Sequence, residues 1–317
     1  MSLPQVSGLL RFEPLLFERV WGGRKLESYY EKALPAGKRI GESWEVVDRA
    51  EAQSIVCDGS WRGRSLHDLW VNEREPVFGS VPDAPRFPLL IKLLDCRDRL
   101  SLQVHPPAGI AEELGGEPKT ECWYVAQAES HADLYLGWRE KTSPLRFQTA
   151  LKEGHAEELI HRVQVKAGDV FFIPSGRIHA IGGGNLIVEV QQNSDTTYRV
   201  FDWNRADENG MTRQLHIEQA LASIDFADVR PRALSSQCET LVTNELFQLD
   251  RWHLSSSPRE LETSGRFAIV LCLDGLLLCA RTELRPGQLA LLPAQATQRD
   301  VCAAEASATL LRITIPS

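Results

Sequence analysis

Apolar residues fall mostly in strand-sized runs separated by turn residues: SWEVV (43–47), PLLIKLL (88–94), LSLQV (100–104), ECWYV (121–125), VFFIP (170–174), NLIVEVQQ (185–192) and TYRVFDW (197–203). Short β-rich runs at this spacing predict an all-β sandwich or barrel rather than βαβ units. Helical patterns are few. RSLHDLWVNE (64–73) is one, and SPLRFQTALKEG and HAEELIHRV fill residues 143–163, with Ser143 as cap and Pro144 as first helical residue. HIEQALASI (216–224) places Ile217, Ala220, Leu221 and Ile224 on one helix face. The polar link PRALSSQC (231–238) separates a unit of residues 1–230 from a smaller strand-like unit, 239–317. VKAGDVFFIPSGRIHA (165–180) is echoed by LRPGQLALLPAQATQR (284–299), aligning Gly168 with Gly287 and Pro174 with Pro293. Two copies of one β fold are therefore expected, the second with Gln298 where the first has His179.

Composition narrows the function. The 317 residues are 43% hydrophobic and 25% charged, a globular balance, and the formal net charge is -8. An acidic chain is a poor match for nucleic acid, which calls for a basic field, although a local cationic pocket could still take a small anion. Seven cysteines cannot all pair internally and show no CxxC spacing, so free thiols in a reducing compartment are expected. The opening MSLPQVSGLL has no basic and apolar leader pattern, and no apolar run is long enough to span a bilayer. The expected address is the cytoplasm, with no membrane partner.

Candidate chemistry lies in three strand-like segments. In LSLQVHPP, period two puts Leu100, Leu102 and Val104 on one face and Ser101, Gln103 and His105 on the other. Lys119 and Glu121 share a face in KTECW, and His179 opens a strand after the Pro174-Ser-Gly turn. Two imidazoles, a carboxylate and an amide oxygen from three strands could close a metal site of the kind Zn²⁺ favours. Each residue also has an ordinary reading: a hydrogen-bonded structural histidine, or Glu121 paired with Lys119. Glu189, Gln191 and Asn193 share a face on a strand too polar at its end for plain core. They are expected to form a sugar-recognition wall, because hydroxyl-rich ligands need convergent donors and acceptors. Ile181-Gly-Gly-Gly-Asn185 lacks the Lys-Ser/Thr and helix start of a phosphate cradle and is not read as one.

FPLLIKLLD, LSLQVHPP, KTECWYV, GDVFFIPSGRIHA and EVQQNSDTTYRVFDW, together with ERVWGG (18–23) and GESWEV (41–46), resemble the type I mannose-6-phosphate isomerases of the cupin superfamily. The resemblance runs in order through residues 15–225 and is closest to the short bacterial form. It implies two cupin-like jelly-roll units, the first catalytic, and a zinc-dependent interconversion of mannose 6-phosphate and fructose 6-phosphate through a cis-enediol(ate). It further implies one Zn²⁺ held by Gln103, His105, Glu121 and His179, Arg199 as an active-site cation, and Lys119 and Asp195 as proton-transfer residues. Lys119 could instead pair with Glu121 or the phosphate, and Asp195 could orient Arg199. The phosphate has three unranked candidates, Arg24, Lys25 and Lys92. Isomerisation of another sugar or sugar phosphate, and a non-catalytic sugar-binding cupin, are the alternatives. The sequence is silent on oligomeric state.

Overall fold

The computed structural model describes residues 8–205, 210–234, 237–262 and 265–316. Residues 1–7 of the expected leaderless start, and 235 and 236 of the link, lie outside them. The first unit contains, among the described residues, strands β1 (Leu15–Gly23), β2 (Ile40–Val46), β3 (Leu89–Cys96), β4 (Leu102–Val104), β5 (Glu121–Ala128) and β6 (Asp133–Trp138). They are followed by β7 (Ile160–Gln164), β8 (Val170–Ile173), β9 (His179–Ile181), β10 (Asn185–Gln192) and β11 (Tyr198–Phe201). These form two antiparallel sheets, ordered β1-β2-β3-β10-β5-β8 and β11-β4-β9-β6-β7. No described helix is long and apolar enough to cross a membrane.

Alternation along the strands divides the side chains among three layers. From the first sheet, Leu89, Ile91, Leu93, Val188 and Val190 pack outward with Ile269, Leu271, Leu311 and Ile313 of the C-terminal unit. Leu94, Cys96, Trp123, Val125 and Ile187 face inward against Leu134, Leu136 and Ile181 of the second sheet. The central strands are thus buried on both faces, which is why PLLIKLL and NLIVEV read as nearly unbroken apolar runs. The outer face of the second sheet, with Leu102, Val104, Ala180 and Val200, is covered by Phe147, Ala150 and Ala220 from two helices. Covering that face leaves the opposite residues of β4, Gln103 first among them, to the space between the sheets.

Those helices are Pro144–Glu153 and Ile217–Ser223. The first starts as expected: Ser143 Oγ accepts a hydrogen bond from the Arg146 N–H at 3.2 Å, and Pro144 is its first residue. It ends at Gly154, whose φ of 80° supplies a left-handed cap. HAEELIHRV does not continue as helix. It makes a short 3-10 turn, Ala156–Leu159, and then edge strand β7. Pairing with β6, Leu134 opposite Val163 and Tyr135 opposite Arg162, supplies main-chain partners that four residues of isolated helix could not.

The C-terminal unit is one antiparallel sheet built from β12 (Thr240–Thr243), β13 (Gln248–Leu254), β14 (Arg259–Glu260), β15 (Ala268–Cys279), β16 (Thr282–Leu284), β17 (Leu289–Leu292) and β18 (Asp300–Thr314). The sequence echo has a structural counterpart. Gly168 and Gly287 both adopt positive φ, 90° and 77°, and β8 and β17 each begin two residues later. The turn is closed the same way in both: Asp169 Oδ2 accepts from the Lys166 N–H, and Gln288 Oε1 from the Arg285 N–H, each at 2.9 Å. The two units share one hydrophobic core rather than meeting across a polar seam. Phe267 packs edge-on against Phe78 and Phe87, with ring centroids at 5.6 and 5.5 Å. Leu10, near the chain start, exchanges two 2.8 Å main-chain hydrogen bonds with Leu291.

Candidate active site

The register of the two sheets brings the polar residues together. In register, Gln103 on β4 pairs with His179 on β9, while β10 sets Glu189 opposite Lys92 on one side and Trp123 on the other, and Gln191 opposite Glu121. Ligand atoms of His105, Glu121 and His179, all buried, lie within 4.8 Å of one another. Each imidazole is turned by its back nitrogen: His105 Nδ1 donates to Thr196 O at 2.8 Å, and His179 Nδ1 to Arg177 O at 2.9 Å. Both Nε2 lone pairs then face Glu121, at 3.6 Å from its two oxygens. Orientation of a ligating histidine by such a second bond is usual at metal sites.

Burial, reinforced by His105, pulls His179 down to about 3, and burial together with the Lys119 ammonium lowers His105. Burial pushes the Glu121 carboxyl up, but Lys119 and His105 outweigh it and hold it well below the usual range. The site therefore presents two neutral imidazoles and one carboxylate, the protonation states a metal requires. Glu121 Oε1, Glu121 Oε2 and His179 Nε2 are all buried. Oε2 has the Lys119 ammonium at 2.9 Å, but Oε1 and His179 Nε2 are unsatisfied; such an acceptor costs roughly 1–3 kcal/mol, and two convergent ones describe a place for a cation. Nitrogen and carboxylate donors suit Zn²⁺, and strand register places Gln103 opposite His179.

The site opens into a cavity of about 430 Å³ lined by Gln103, Lys119, Glu189, Asp195 and Arg199, together with Arg19, Trp21, Glu42, Lys92, Ser101, Arg213 and His216. Most of its charges are matched. Lys92 Nζ lies 3.6 to 3.9 Å from Glu42, Glu189 and Asp195, Arg19 pairs with Glu42 at 2.7 Å, and Arg213 pairs with Asp202. Lys119 Nζ sits 2.9 Å from Glu121 Oε2. Burial lowers the Lys119 ammonium, but Glu121 and Glu189 outweigh it and hold it above the ordinary lysine value. Arg199 is different. It donates to Ser101 Oγ at 3.2 Å and Gln214 O at 3.0 Å and, among the described residues, makes no ion pair.

Several expected contacts fall elsewhere. Glu189 reaches the cavity, but Gln191 and Asn193 do not line it. Gln191 is fully buried and its amide donates to Gln192 O and Ser194 O. Asn193 lies beyond the end of β10, where alternation stops, and donates to Asp48 O and Phe87 O. Both brace the 193–196 loop. Asp195 does not orient the Arg199 guanidinium, which is held by Ser101 and Gln214; its own nearest cation is Lys92. Of the phosphate candidates only Lys92 lines the cavity. Arg24 is tied to Glu27 and two carbonyls, and Lys25 to Glu129 and Gly184 O. The triple glycine is a close approach rather than a cradle, since a Cβ on Gly182 would lie 1.8 Å from Asp133 Oδ1.

Arg19, Glu42, Arg213 and His216 were not found from the sequence. Arg19 and Glu42 sit inside ERVWGG and GESWEV, where alternation with buried Trp21 and Trp44 was the available signal. Arg213 comes from a polar loop that carries none.

Residues 9–121 match the model of the phosphomannose isomerase type I catalytic domain. The chain is 38% identical over 275 residues to mannose-6-phosphate isomerase ManA of Bacillus subtilis, covering 84% of this chain and 85% of that one. It is 37% identical over 296 residues to mannose-6-phosphate isomerase of Streptococcus mutans, covering 89% and 92%. The crystal structure of the mannose 6-phosphate isomerase from Bacillus subtilis superposes with a TM-score of 0.84 at 33% identity, covering 97% of this chain and 99% of that one. With its sandwich, buried donor set and cavity in this arrangement, the chain belongs to the type I phosphomannose isomerase family.

Proposed function

We propose that the protein interconverts mannose 6-phosphate and fructose 6-phosphate through a cis-enediol(ate), with one Zn²⁺ held by Gln103, His105, Glu121 and His179. The observation that carries this reading is the convergence of two buried acceptor atoms without a partner, Glu121 Oε1 and His179 Nε2, beside a cavity whose Arg199 guanidinium makes no ion pair among the described residues. The relatives named above for the same activity support it. A cavity of about 430 Å³ suits a phosphorylated hexose, since small-molecule sites run from about 300 to 1,000 Å³.

The reaction moves a proton between C2 and C1 and another between the neighbouring oxygens, so negative charge grows on oxygen as carbon is deprotonated. Zinc, when bound, supplies a Lewis acid toward those oxygens. Arg199 clamps the anionic oxygens of the enediolate or the phosphate, because its charge is permanent and, among the described residues, no carboxylate pairs with it. Glu189 is fixed by the Trp123 Nε1–H at 2.9 Å and Lys92, and presents an acceptor to sugar hydroxyls. Lys119 and Asp195, which both line the cavity, are assigned to proton transfer.

A coupled assay on mannose 6-phosphate, run as purified, after chelation and after zinc return, tests the proposal. Expected are turnover, its loss and its recovery, with one zinc per chain by elemental analysis. Full turnover by metal-free protein, or faster turnover of a different sugar phosphate in a parallel panel, would overturn it.

A further inference from the structure

His216 is a cavity-lining imidazole that the mechanism above does not use. It immediately precedes the helix Ile217–Ser223 and grips the main chain of Arg199 from both sides. Its own N–H donates to Arg199 O at 2.8 Å, and the Arg199 N–H donates to His216 Nδ1 at 3.3 Å. A main-chain N–H can only donate, so Nδ1 must carry the lone pair. In the neutral ring the proton is then on Nε2. No described residue accepts from Nε2, and the half-buried side chain lines the cavity that Ser101, Gln103 and Arg199 also line.

We propose that His216 is a further substrate-contacting residue: a neutral imidazole whose Nε2–H donates to a sugar oxygen that gains negative charge during isomerisation. The ring stays neutral for a geometric reason, since a proton on Nδ1 would face the proton of the Arg199 amide. Burial and the Arg199 charge act in the same direction and lower its pKa. A neutral donor fixed before the substrate arrives stabilises developing charge without reorganising. The same contact fixes Arg199, so one residue places two donors on one side of the substrate.

The inference rests on the proposed isomerase reading, and two replacements test it separately. His216→Asn puts Oδ1 near the position of Nδ1, keeping the acceptor for the Arg199 N–H while removing the donor that reaches the cavity. His216→Gln carries an amide N–H to the Nε2 position and gives up the anchor. The Asn variant is expected to lose about 10²-fold in kcat with zinc content and Tm unchanged, and the Gln variant to keep more of the turnover. Wild-type kcat in the Asn variant, or a Gln variant that falls as far, would reduce His216 to an anchor and overturn the proposal. Nitrogen-15 NMR reads the same point without turnover. The Nε2–H tautomer should be present in the zinc enzyme and its resonance should move when fructose 6-phosphate is added. An Nδ1–H tautomer, or an unmoved resonance at saturating sugar phosphate, would also overturn it. Inactivity of the wild type toward mannose 6-phosphate would instead sink the isomerase reading, leaving the contact to be judged by the NMR titration.

Discussion

Replacing Glu121 by Gln separates metal binding from the folding role of the same carboxylate. Its side chain is fully buried, and Lys119, 6% exposed, lies 2.9 Å from Oε2. At that distance the pair attraction is about 6 kcal/mol for an effective dielectric near 20, before the cost of desolvating both charges. Removing one member of a buried pair usually costs about 3–5 kcal/mol, because the other charge is left uncompensated. Lys119 also feels Glu189, so the lower end applies, about 3 kcal/mol. For a chain of 317 residues, whose unfolding entropy is about 0.67 kcal/mol/K, that corresponds to a Tm loss of about 4–5 °C in chelator-treated protein. Adding Lys119→Met removes the stranded charge, and the double variant should return to within about 1 kcal/mol of the metal-free wild type. Neither variant should recover zinc, since the anionic ligand is gone; affinity in a competition titration should fall by more than about 100-fold. Differential scanning calorimetry of the metal-free proteins reads the first effect. A double variant no more stable than Glu121→Gln would refute the idea that the stranded ammonium sets the loss.

Three shorter predictions follow from the same geometry. Arg199→Ala should cut kcat by about 10²- to 10³-fold while zinc stays bound; loss of zinc in elemental analysis would make the residue structural. Asn193→Ala removes two hydrogen bonds from the loop whose Thr196 carbonyl turns His105, so zinc affinity should weaken about 10-fold in a chelator competition, and an unchanged affinity would refute that role. Glu42 is pushed up by burial, but Lys92 and Arg19 bring it down to about 2 from an ordinary 4.5. Its folded-state pKa is the lower one, so its contribution, on the order of 3 kcal/mol, is complete above pH 4.5 and disappears as pH falls through 2. Denaturant titrations between pH 5 and 3 should show a shallower acid dependence in Glu42→Gln, and parallel curves would refute the assignment.

Period-two alternation along single strands specified a large share of this protein. It separated Leu102 and Val104 from Gln103 on β4, placed Lys119 and Glu121 together, and located β10 at its observed bounds of Asn185–Gln192. The Gly-x strand start was legible twice, because a positive-φ glycine and a side-chain acceptor are local requirements. These features depend on a residue and its near neighbours, so the chain carries them by itself.

Only the tertiary structure decided the rest. HAEELIHRV has a helical pattern, yet β6 offers it a ladder of main-chain partners from some 25 residues away, and its second half becomes strand. Gln191 and Asn193 look like sugar-binding amides, but Ser194 and the carbonyls of Asp48 and Phe87 take their hydrogen bonds, and the last two are fixed by distant strands and loops. The cavity's cations show the same dependence. Arg19, Lys92, Arg199 and Arg213 are scattered over about 200 residues, and each is defined by its ion pairs among the described residues: Glu42, three carboxylates, none, and Asp202. A local pattern tells which face a side chain takes, whereas charge pairing and hydrogen-bond satisfaction are sums over everything folded against it. The sequence therefore determined the strands and their polar faces, and the packing of two sheets decided which polar groups remain available for chemistry.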